Sequence, residues 1–318
     1  MASIILIMTL QQLEYVIALD NHRNYVKAAK SCYVTQPTLS MMVKKLEDEI
    51  GVSIFDRNKK PLQPTKTGVE IISKARQILR EVNYLKAYVN KETENIEGEY
   101  TIGIIPTVAP YLLPLFITAF TNRYPRTYLN IKEMQTDQII DGLNKGTIEL
   151  GIAATPLETS SLREIPIYNE PFLLYDKPND SKTNASKNIN PSQLDINDII
   201  LMDEGHCFRD QALALCGNKK ARKHKFPFEY KSGSIEAIKN LVDKGMGKTL
   251  VPELSVLGET NRKNITRFKS PEPVRVISLI VHKSFTKEAL IEALHGIISS
   301  AVPDRFTKKQ KFKRVKWR

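Results

Sequence analysis

The 318-residue chain is 42% hydrophobic and carries a formal net charge of +12, which suits a soluble globular protein of two or three domains. No apolar run reaches the ~18 residues of a membrane span. The opening "MASIILIM" lacks the charged flank and small-residue cleavage site of a signal peptide, so a cytoplasmic protein is expected, with Met8 as a candidate start. Three cysteines suit a reducing compartment and argue against a structural disulfide framework.

The charge is unevenly placed. Residues 302–318, "VPDRFTKKQKFKRVKWR", hold eight Lys/Arg against one acid, and residues 219–225, "KKARKHK", hold five more cations. Together they account for the whole excess, so net charge alone is no argument for nucleic acid. A basic end of this kind is expected to be solvated and disordered, with nonspecific contact to DNA phosphates as the alternative.

Residues 10–93 read as helical. "TLQQLEYVIALD" places Leu10, Leu13, Val16, Ile17 and Leu19 on one apolar face. "NYVKAAKSC" is a short second helix whose Ala28 and Ala29 allow close packing; Cys32, at its end, is expected to pack as well. After the connection "YVTQ", the stretch "QPTLSMMVKKLEDEIG" forms a third helix. Thr35 is its N-cap, Pro37 is tolerated in its first turn, and Gly51 stops it.

Two helices joined by so short a turn make a helix-turn-helix. Its second helix would present Gln36, Thr38, Ser40 and Met41 to a major groove, with Lys44 and Lys45 nearer the phosphates. In "VSIFDRNKKPLQPTKTG", two extended pieces flank Arg57, Asn58, Lys59 and Lys60, a wing that sets a cation over the backbone or minor groove. Thr65 then caps a long helix. Its residues Ile71, Ala75, Ile78, Val82, Leu85 and Val89 step by 4, 3, 4, 3, 4, a heptad seam for pairing two chains. The competing reading is an amphipathic helix packed on its own domain. A two-fold dimer favours palindromic DNA.

Beyond "EGEY" strands and helices alternate: strand "YTIGII", helix "APYLLPLFITAFTNRY" interrupted at Pro114, strand "YLNIKE", helix "TDQIIDGLNKG", and strands "IELGIAA" and "EPFLLY". The polar run 177–193 reads as a loop and crossover. Strand "DIILMD" opens a second series, followed by a cysteine-bearing helix, helix "SIEAIKNLVDKG", strands "KTLVPEL" and "VRVISLIV", and helix "KEALIEALHGIISSAV". Such alternation predicts parallel sheets with helices on their faces, in two subdomains with a ligand cleft between them. There is no G-x-S-x-G, Walker loop, G-x-G-x-x-G or H-E-x-x-H. "GMGK" reads as a helix stop, with Gly245 at the left-handed cap.

The segment "DEGHCFRDQALALCG", 203–217, carries two of the three cysteines. Cys207 falls near a helix amino terminus, where the dipole, the free N–H groups, His206 and Arg209 favour a thiolate; Cys216 falls at the other end. Nine residues of helix span about 13.5 Å, whereas a disulfide needs Cα atoms within about 7 Å. Helix and disulfide therefore exclude each other, which makes the segment a candidate two-state element. Peroxide supplies a trigger, because it oxidises a thiolate to a sulfenic acid that condenses with a second thiol. Two other readings stand beside this one: buried small hydrophobes, or zinc ligands with His206 and His224, although C-x8-C matches no common zinc spacing.

"AAKSCYVTQPTLSMMVKKLEDEIGVSIFDRNKKPLQPTKTG" resembles the winged helix-turn-helix of LysR-type transcriptional regulators, through its "QPTLS…LEDEIG…FDR…T..G" skeleton. The resemblance implies DNA contacts by Gln36, Pro37, Thr38, Ser40 and Arg57; Thr35, Met41 and Lys44 complete the candidate interface. Met41 departs from the family, many of whose members place Arg there. "LMDEGHCFRDQALALC", "IGIIPTVAPYLLP" and "EMQTDQ" look like the peroxide-sensing branch of that family, and the likeness runs from Leu10 to about Ser300. It implies that Cys207 is the peroxidatic cysteine and Cys216 the resolving one. Thr107 and Thr136 would line a peroxide pocket, His206 and Asp210 would flank the thiol, and Arg275 would stabilise the thiolate or the leaving oxygen. The residues alone allow plainer roles: Thr107 a helix cap, Asp210 a dipole partner, Arg275 a surface cation. The loop "GNKKARKHK" and the basic tail depart from the family pattern.

The implied architecture is an all-α winged helix-turn-helix DNA-binding domain (8–66), a linker and dimerisation helix (67–96), an α/β periplasmic-binding-protein-like regulatory domain of two subdomains (97–301), and a basic tail (302–318). Implied partners are palindromic double-stranded DNA, RNA polymerase, hydrogen peroxide and a thiol reductant such as glutaredoxin or thioredoxin. A homotetramer built as a dimer of dimers is also implied. No cofactor, metal or membrane is expected. Two rival functions remain: a LysR-type regulator gated by a small organic effector, and a thiol peroxidase, which would not need residues 10–93.

Overall fold

A computed structural model describes residues 8–90, 96–177, 188–217, 230, 232–258, 264–308 and 311–315. The chain divides into two compact units, residues 1–92 and 93–318.

In the first unit, α1 (Leu10–His22) starts from a capping box: the Gln12 N–H donates to Thr9 Oγ1, and the Thr9 N–H donates to Gln12 Oε1. Leu13, Val16 and Leu19 enter the core, but Leu10 is 44% exposed and Ile17 only half-buried, so the buried face is narrower than the periodicity implied. α2 (Tyr25–Ser31) buries Ala28 and Ala29 completely, as their size allows, and Cys32 packs half-buried at its end. α3 (Gln36–Ile50) begins at Thr35, whose Oγ1 accepts the Thr38 N–H at 3.4 Å, and stops at Gly51 with φ +74°. The wing is a two-residue pairing of β1 (Phe55–Asp56) with β2 (Gln63–Pro64).

Thr65 caps α4 (Lys66–Asn90) by accepting the Gly68 N–H at 2.9 Å. Gly68 is required there, because a Cβ would stand 2.0 Å from the Ile54 carbonyl oxygen. Buried Arg76 fastens α4 to α1 through Asp20 (2.7 Å) and Asn21 (2.6 Å). The heptad seam divides. Ala75 is 1% exposed inside its own unit and Ile71 packs against the same core, so this half of the seam is spent within one chain. Ile78 and Leu85 are exposed and Val82 is half-buried; the Val89 side chain lies outside the described residues.

The second unit is built on β3 (Gly98–Ile104), β4 (Thr127–Glu133), β5 (Leu150–Thr155), β6 (Leu162–Asp176), β7 (Lys248–Pro252), β8 (Ile265–Arg267) and β9 (Glu272–His282). The strand order is β4-β3-β5-β9-β6-β7, with β8 beside β6. β3 runs parallel to β4 and β5, but β9 is antiparallel to both β5 and β6. The sheet is therefore mixed rather than parallel. Alternation along a chain records element type, while strand direction depends on which edge each crossover returns to.

β6 is the spine of this unit. Leu162–Pro171 pair with β9, and Phe172–Asp176 pair with β7, so one strand passes through both subdomains. The first core collects α5 (Ala109–Arg123), α6 (Thr136–Lys145) and α9 (Glu288–Ala301) on β3, β5 and β9. The second collects α7 (Cys207–Leu215) and α8 (Ile235–Asp243) on the end of β6 and on β7.

α5 runs unbroken through Pro114. "DIILMD" forms no strand. It contributes one bridge, Ile199 to Lys248, while Ile199, Ile200 and Met202 are buried, so core packing holds it without a ladder. Gly245 takes φ +86° at the end of α8, as expected. Most of the 177–193 loop and of the basic loop 217–225 lies outside the described residues.

The tail is folded where it is described. α10 (Asp304–Thr307) buries Phe306 completely, stacked on Tyr168 with centroids 5.9 Å apart. Arg305 pairs with the buried Glu253. β10 (Phe312–Arg314) pairs in parallel with Glu272–Val274 of β9. A solvated end was expected from its charge, but Phe306 in the first core and Val315 against the second supply apolar surface that holds its described residues.

Candidate redox site and nucleic-acid interface

Gly205, with φ +85°, turns the chain into α7. His206 is the N-cap and Cys216 the C-cap, so both cysteines bound one nine-residue helix. Neither forms a disulfide, and each is 4% exposed. They belong to different cores: Cys207 to the first, with Ile104, Val108 and Leu254, and Cys216 to the second, with Phe172, Met202 and Ile238. At 1.5 Å per residue the helix keeps their Cα atoms roughly 13.5 Å apart.

Phe208 wedges the helix in place. Its ring stacks on Phe172 at 5.2 Å and lies under the Arg275 guanidinium at 5.0 Å. Arg275 is 1% exposed, not a surface cation. Its Nε and Nη2 meet Glu170 Oε2 at 2.8 and 2.7 Å. Nη1 donates to Thr107 Oγ1 at 2.8 Å, and Nη2 donates to the Thr107 carbonyl at 3.0 Å. Thr107 is thus a buried partner of Arg275; the α5 N-cap is Val108, which makes no side-chain bond.

Thr136 opens α6, is 3% exposed, and its hydroxyl has no hydrogen-bond partner among the described residues. The neighbouring Gln135 abuts Gly205, where a Cβ would stand 2.9 Å from Gln135 Oε1, so the start of α6 lies against the entry to α7. Gln211, one turn beyond Cys207, is fully buried with neither amide atom hydrogen-bonded among the described residues. A buried, unsatisfied hydroxyl and carboxamide are costly unless a small polar guest joins them.

Asp210 lies in the first turn of α7, three residues after Cys207, where it also complements the helix dipole. Arg209 Nη1 folds back to the Met202 carbonyl at 2.9 Å. Burial pushes the His206 pKa below its usual value, against the pull of Asp203, so near neutral pH the ring is uncharged and adds no cation beside Cys207. Among the described residues no cluster of three His, Cys, Asp or Glu could hold a metal, and His224 lies outside them.

Tyr111 ties the subdomains together, its hydroxyl donating to Glu236 Oε1 at 2.9 Å from α5 to α8; burial raises its pKa. Glu170, Gln211, Phe208 and Tyr111 carried no sequence signal beyond the i+4 spacing of Gln211 from Cys207.

In the first unit Gln36, Ser40 and Arg57 line an open cleft of about 700 Å³ with Lys27, Lys59 and Lys60. Pro37, Met41 and Lys44 are exposed on the same helix and Thr38 is half-buried, while the Thr35 hydroxyl is engaged with Thr38. Glu47, part of the "LEDEIG" stretch but given no role by the sequence, positions the wing. Its Oε1 accepts the Ile54 and Phe55 N–H groups at 2.7 and 3.1 Å, and its Oε2 meets Arg57 Nη2 at 2.9 Å.

Comparisons with known proteins agree with both halves. Residues 10–69 match the bacterial regulatory helix-turn-helix of the lysR family, and residues 93–302 match the LysR substrate binding domain. The hydrogen peroxide-inducible genes activator of Haemophilus influenzae is 36% identical over 297 residues, covering 93% of this chain and 97% of that protein. The DNA-binding transcriptional dual regulator OxyR of Escherichia coli is 33% identical over 303 residues, covering 95% and 98%.

Among solved structures, full-length OxyR from Pseudomonas aeruginosa, a cysteine-to-aspartate variant, superposes with a TM-score of 0.79 at 30% identity, covering 93% of this chain and 99% of that one. A hydrogen peroxide-bound cysteine-to-serine mutant of Corynebacterium glutamicum OxyR superposes with a TM-score of 0.58 at 27% identity, covering 92% of each chain. Among the described residues no helix is long and apolar enough to cross a membrane. The chain belongs to the LysR family of DNA-binding transcription regulators and, within it, to the group of the hydrogen peroxide-inducible genes activators.

Proposed function

We propose that this chain is a cytoplasmic, peroxide-responsive transcription regulator whose switch is α7. The observation that carries the reading is the pair of cysteines outside any disulfide at opposite ends of one helix, buried in two different cores. In the reaction, the Cys207 thiolate attacks one oxygen of hydrogen peroxide. An S–O bond forms as the O–O bond breaks, sulfur loses two electrons, and the departing hydroxide takes a proton to become water. Thr107 Oγ1 accepts from Arg275, so its own proton is available to a peroxide oxygen. The Thr136 hydroxyl and Gln211 amide, without hydrogen-bond partners among the described residues, offer further partners. The solved peroxide-bound relative supports a guest of this size in the family.

The Cys216 thiol then attacks the sulfenic sulfur, and water leaves as the disulfide forms. A bond needing Cα atoms within about 7 Å forces α7 to unwind. Unwinding withdraws Phe208, Ala212 and Cys216 from the second core and so remodels the regulatory unit. Exposed Ile78 and Leu85 on α4 serve chain pairing. A tetramer of two such dimers then changes its spacing on palindromic DNA and its contact with RNA polymerase. A dithiol reductant such as glutaredoxin or thioredoxin resets the switch, taking the oxidising equivalents as its own disulfide.

Mass spectrometry of the reduced protein after micromolar peroxide tests the chemistry, with a Cys207–Cys216 disulfide as the expected product. Footprinting of both forms then tests the coupling to DNA. A protein that yields no disulfide, or a Cys207→Ser variant that still answers its inducer, points instead to an organic effector. Rapid multiple turnover with a thiol reductant and no footprint would make the chain a thiol peroxidase.

A further inference from the structure

We propose that Glu170 is a positioning residue for the peroxide reaction: across the β6–β9 pair it holds the Arg275 guanidinium so that one Nη1–H and the Thr107 hydroxyl proton stay free for the peroxide. The inference rests on the peroxide reading above and adds a residue to it.

Glu170 and Arg275 are direct partners in the antiparallel register, at the place where β6 leaves the first sheet for the second. A guanidinium has five N–H donors in a rigid fork. Glu170 Oε2 takes one edge, Nε and Nη2, at 2.8 and 2.7 Å. The other Nη2 hydrogen goes to the Thr107 carbonyl, and one Nη1 hydrogen goes to Thr107 Oγ1. One Nη1 hydrogen is left without a partner among the described residues.

The Phe208 ring covers one face of the fork, so the guanidinium cannot turn out of this plane without leaving both the ring and the carboxylate. Glu170 is itself braced. Its Oε1 accepts the Leu254 N–H at 3.1 Å, from the turn that follows β7. In that turn the preceding residue, Glu253, is held by Arg267 and Arg305.

The polarity of Thr107 follows from this arrangement. Because its oxygen accepts from Nη1, its proton must donate elsewhere. If the fork rotated, Thr107 would be free to donate to its own surroundings, and the ordered donor pair would be lost. Burial pushes the Glu170 pKa up and the nearby guanidinium pulls it down, as for a carboxylate kept in the interior by one cation.

The test uses the full-length reduced chain and the variants E170Q, R275Q and E170Q/R275Q. For each, the rate of Cys207 oxidation by hydrogen peroxide is compared with its rate of thiolation by methyl methanethiosulfonate, whose sulfinate leaving group needs neither proton nor donor. E170Q is expected to slow the peroxide reaction roughly 10–100-fold, the scale of a misplaced reacting group, and thiolation by less than about threefold. In the R275Q background, E170Q should add less than about threefold, because Glu170 acts only through Arg275.

Equal loss with both reagents marks a structural role and overturns the proposal. So does a peroxide rate within about twofold of wild type. Should E170Q fail to fold, the charge-neutral double variant replaces it: a further loss of about tenfold relative to R275Q overturns the proposal, and equal rates support it. A wild-type chain inert to micromolar peroxide overturns the peroxide reading and this inference together. A reactive wild type with an unaffected E170Q overturns this inference alone.

Discussion

At its amino-terminal end α7 sets Phe208 under the buried Arg275, which also holds Thr107, and carries the buried Gln211 amide; at its carboxy-terminal end it packs into the apolar second core with Phe172, Ile238 and Val242. Both thiols are equally buried, 4% exposed each. Burial therefore does not separate the two cysteines; the core each belongs to and the cation over Phe208 do. The packing is also unequal. Phe208, Gln211 and Ala212 are buried, whereas Leu213, Ala214 and Leu215 are half-exposed, so the last turn has less to lose by opening.

Exchanging the cysteines for serine tests this contrast most severely. Cys216→Ser should leave a sulfenic acid on Cys207 that dimedone traps, and Cys207→Ser should leave Cys216 reduced at micromolar peroxide, both read by mass spectrometry. Oxidised Cys216 in the second variant would break the contrast. Phe208→Ala should cost about 3–5 kcal/mol in urea unfolding, against about 1–2 kcal/mol for the half-exposed Leu215→Ala. Equal losses would mean that the helix is not anchored at its Cys207 end. Tyr111→Phe removes the link between α5 and α8 and should cost about 1 kcal/mol. A loss below about 0.3 kcal/mol would show that the bond contributes nothing to holding the two cores together.

The smallest effect concerns pH. Burial lowers the His206 pKa in the folded state, so below about pH 6.5 the unfolded chain binds the extra proton first. The contribution of neutral His206 is present above that value and is lost as the pH falls through it toward the folded-state pKa. The wild-type melting temperature should fall more between pH 7.5 and about pH 5.5 than that of His206→Gln. Parallel curves would show that this ring does not titrate with folding.

Much of the first unit was legible because its determinants are local. Thr35, Gly51 and Thr65 cap or stop helices within a few residues of themselves, and the structure places each in that role. The wing's anchor was not legible, since nothing near Glu47 marks it as the acceptor for Ile54, Phe55 and Arg57. The half-spent heptad seam has the same origin. Periodicity places Ile71 and Ala75 on one face, but only α1 packing against α4 assigns that face to their own core.

The described part of the tail was misread because its charge outweighed Phe306 and Val315, whose partners, Tyr168 on β6 and the Val274 carbonyl on β9, lie far away in sequence. Among the site residues, Asp210 was placed near the thiol by likeness to relatives, and the structure sets it in the first turn of α7, three residues after Cys207.

The sequence by itself determined that a Cys207–Cys216 bond and an intact α7 are mutually exclusive, because helical rise and disulfide reach are both local constants. It also determined the helix-turn-helix, whose caps and turn all lie between Asn24 and Gly51. Only the tertiary structure decided that the Cys207 end of α7 lies by a buried cation. Arg275 reaches that end of α7 through a β-pairing with Glu170, 105 residues away, and through Thr107, 168 residues away. Strand register brings such partners together, and register is set by the competition of whole faces for burial, which no short stretch of the chain encodes.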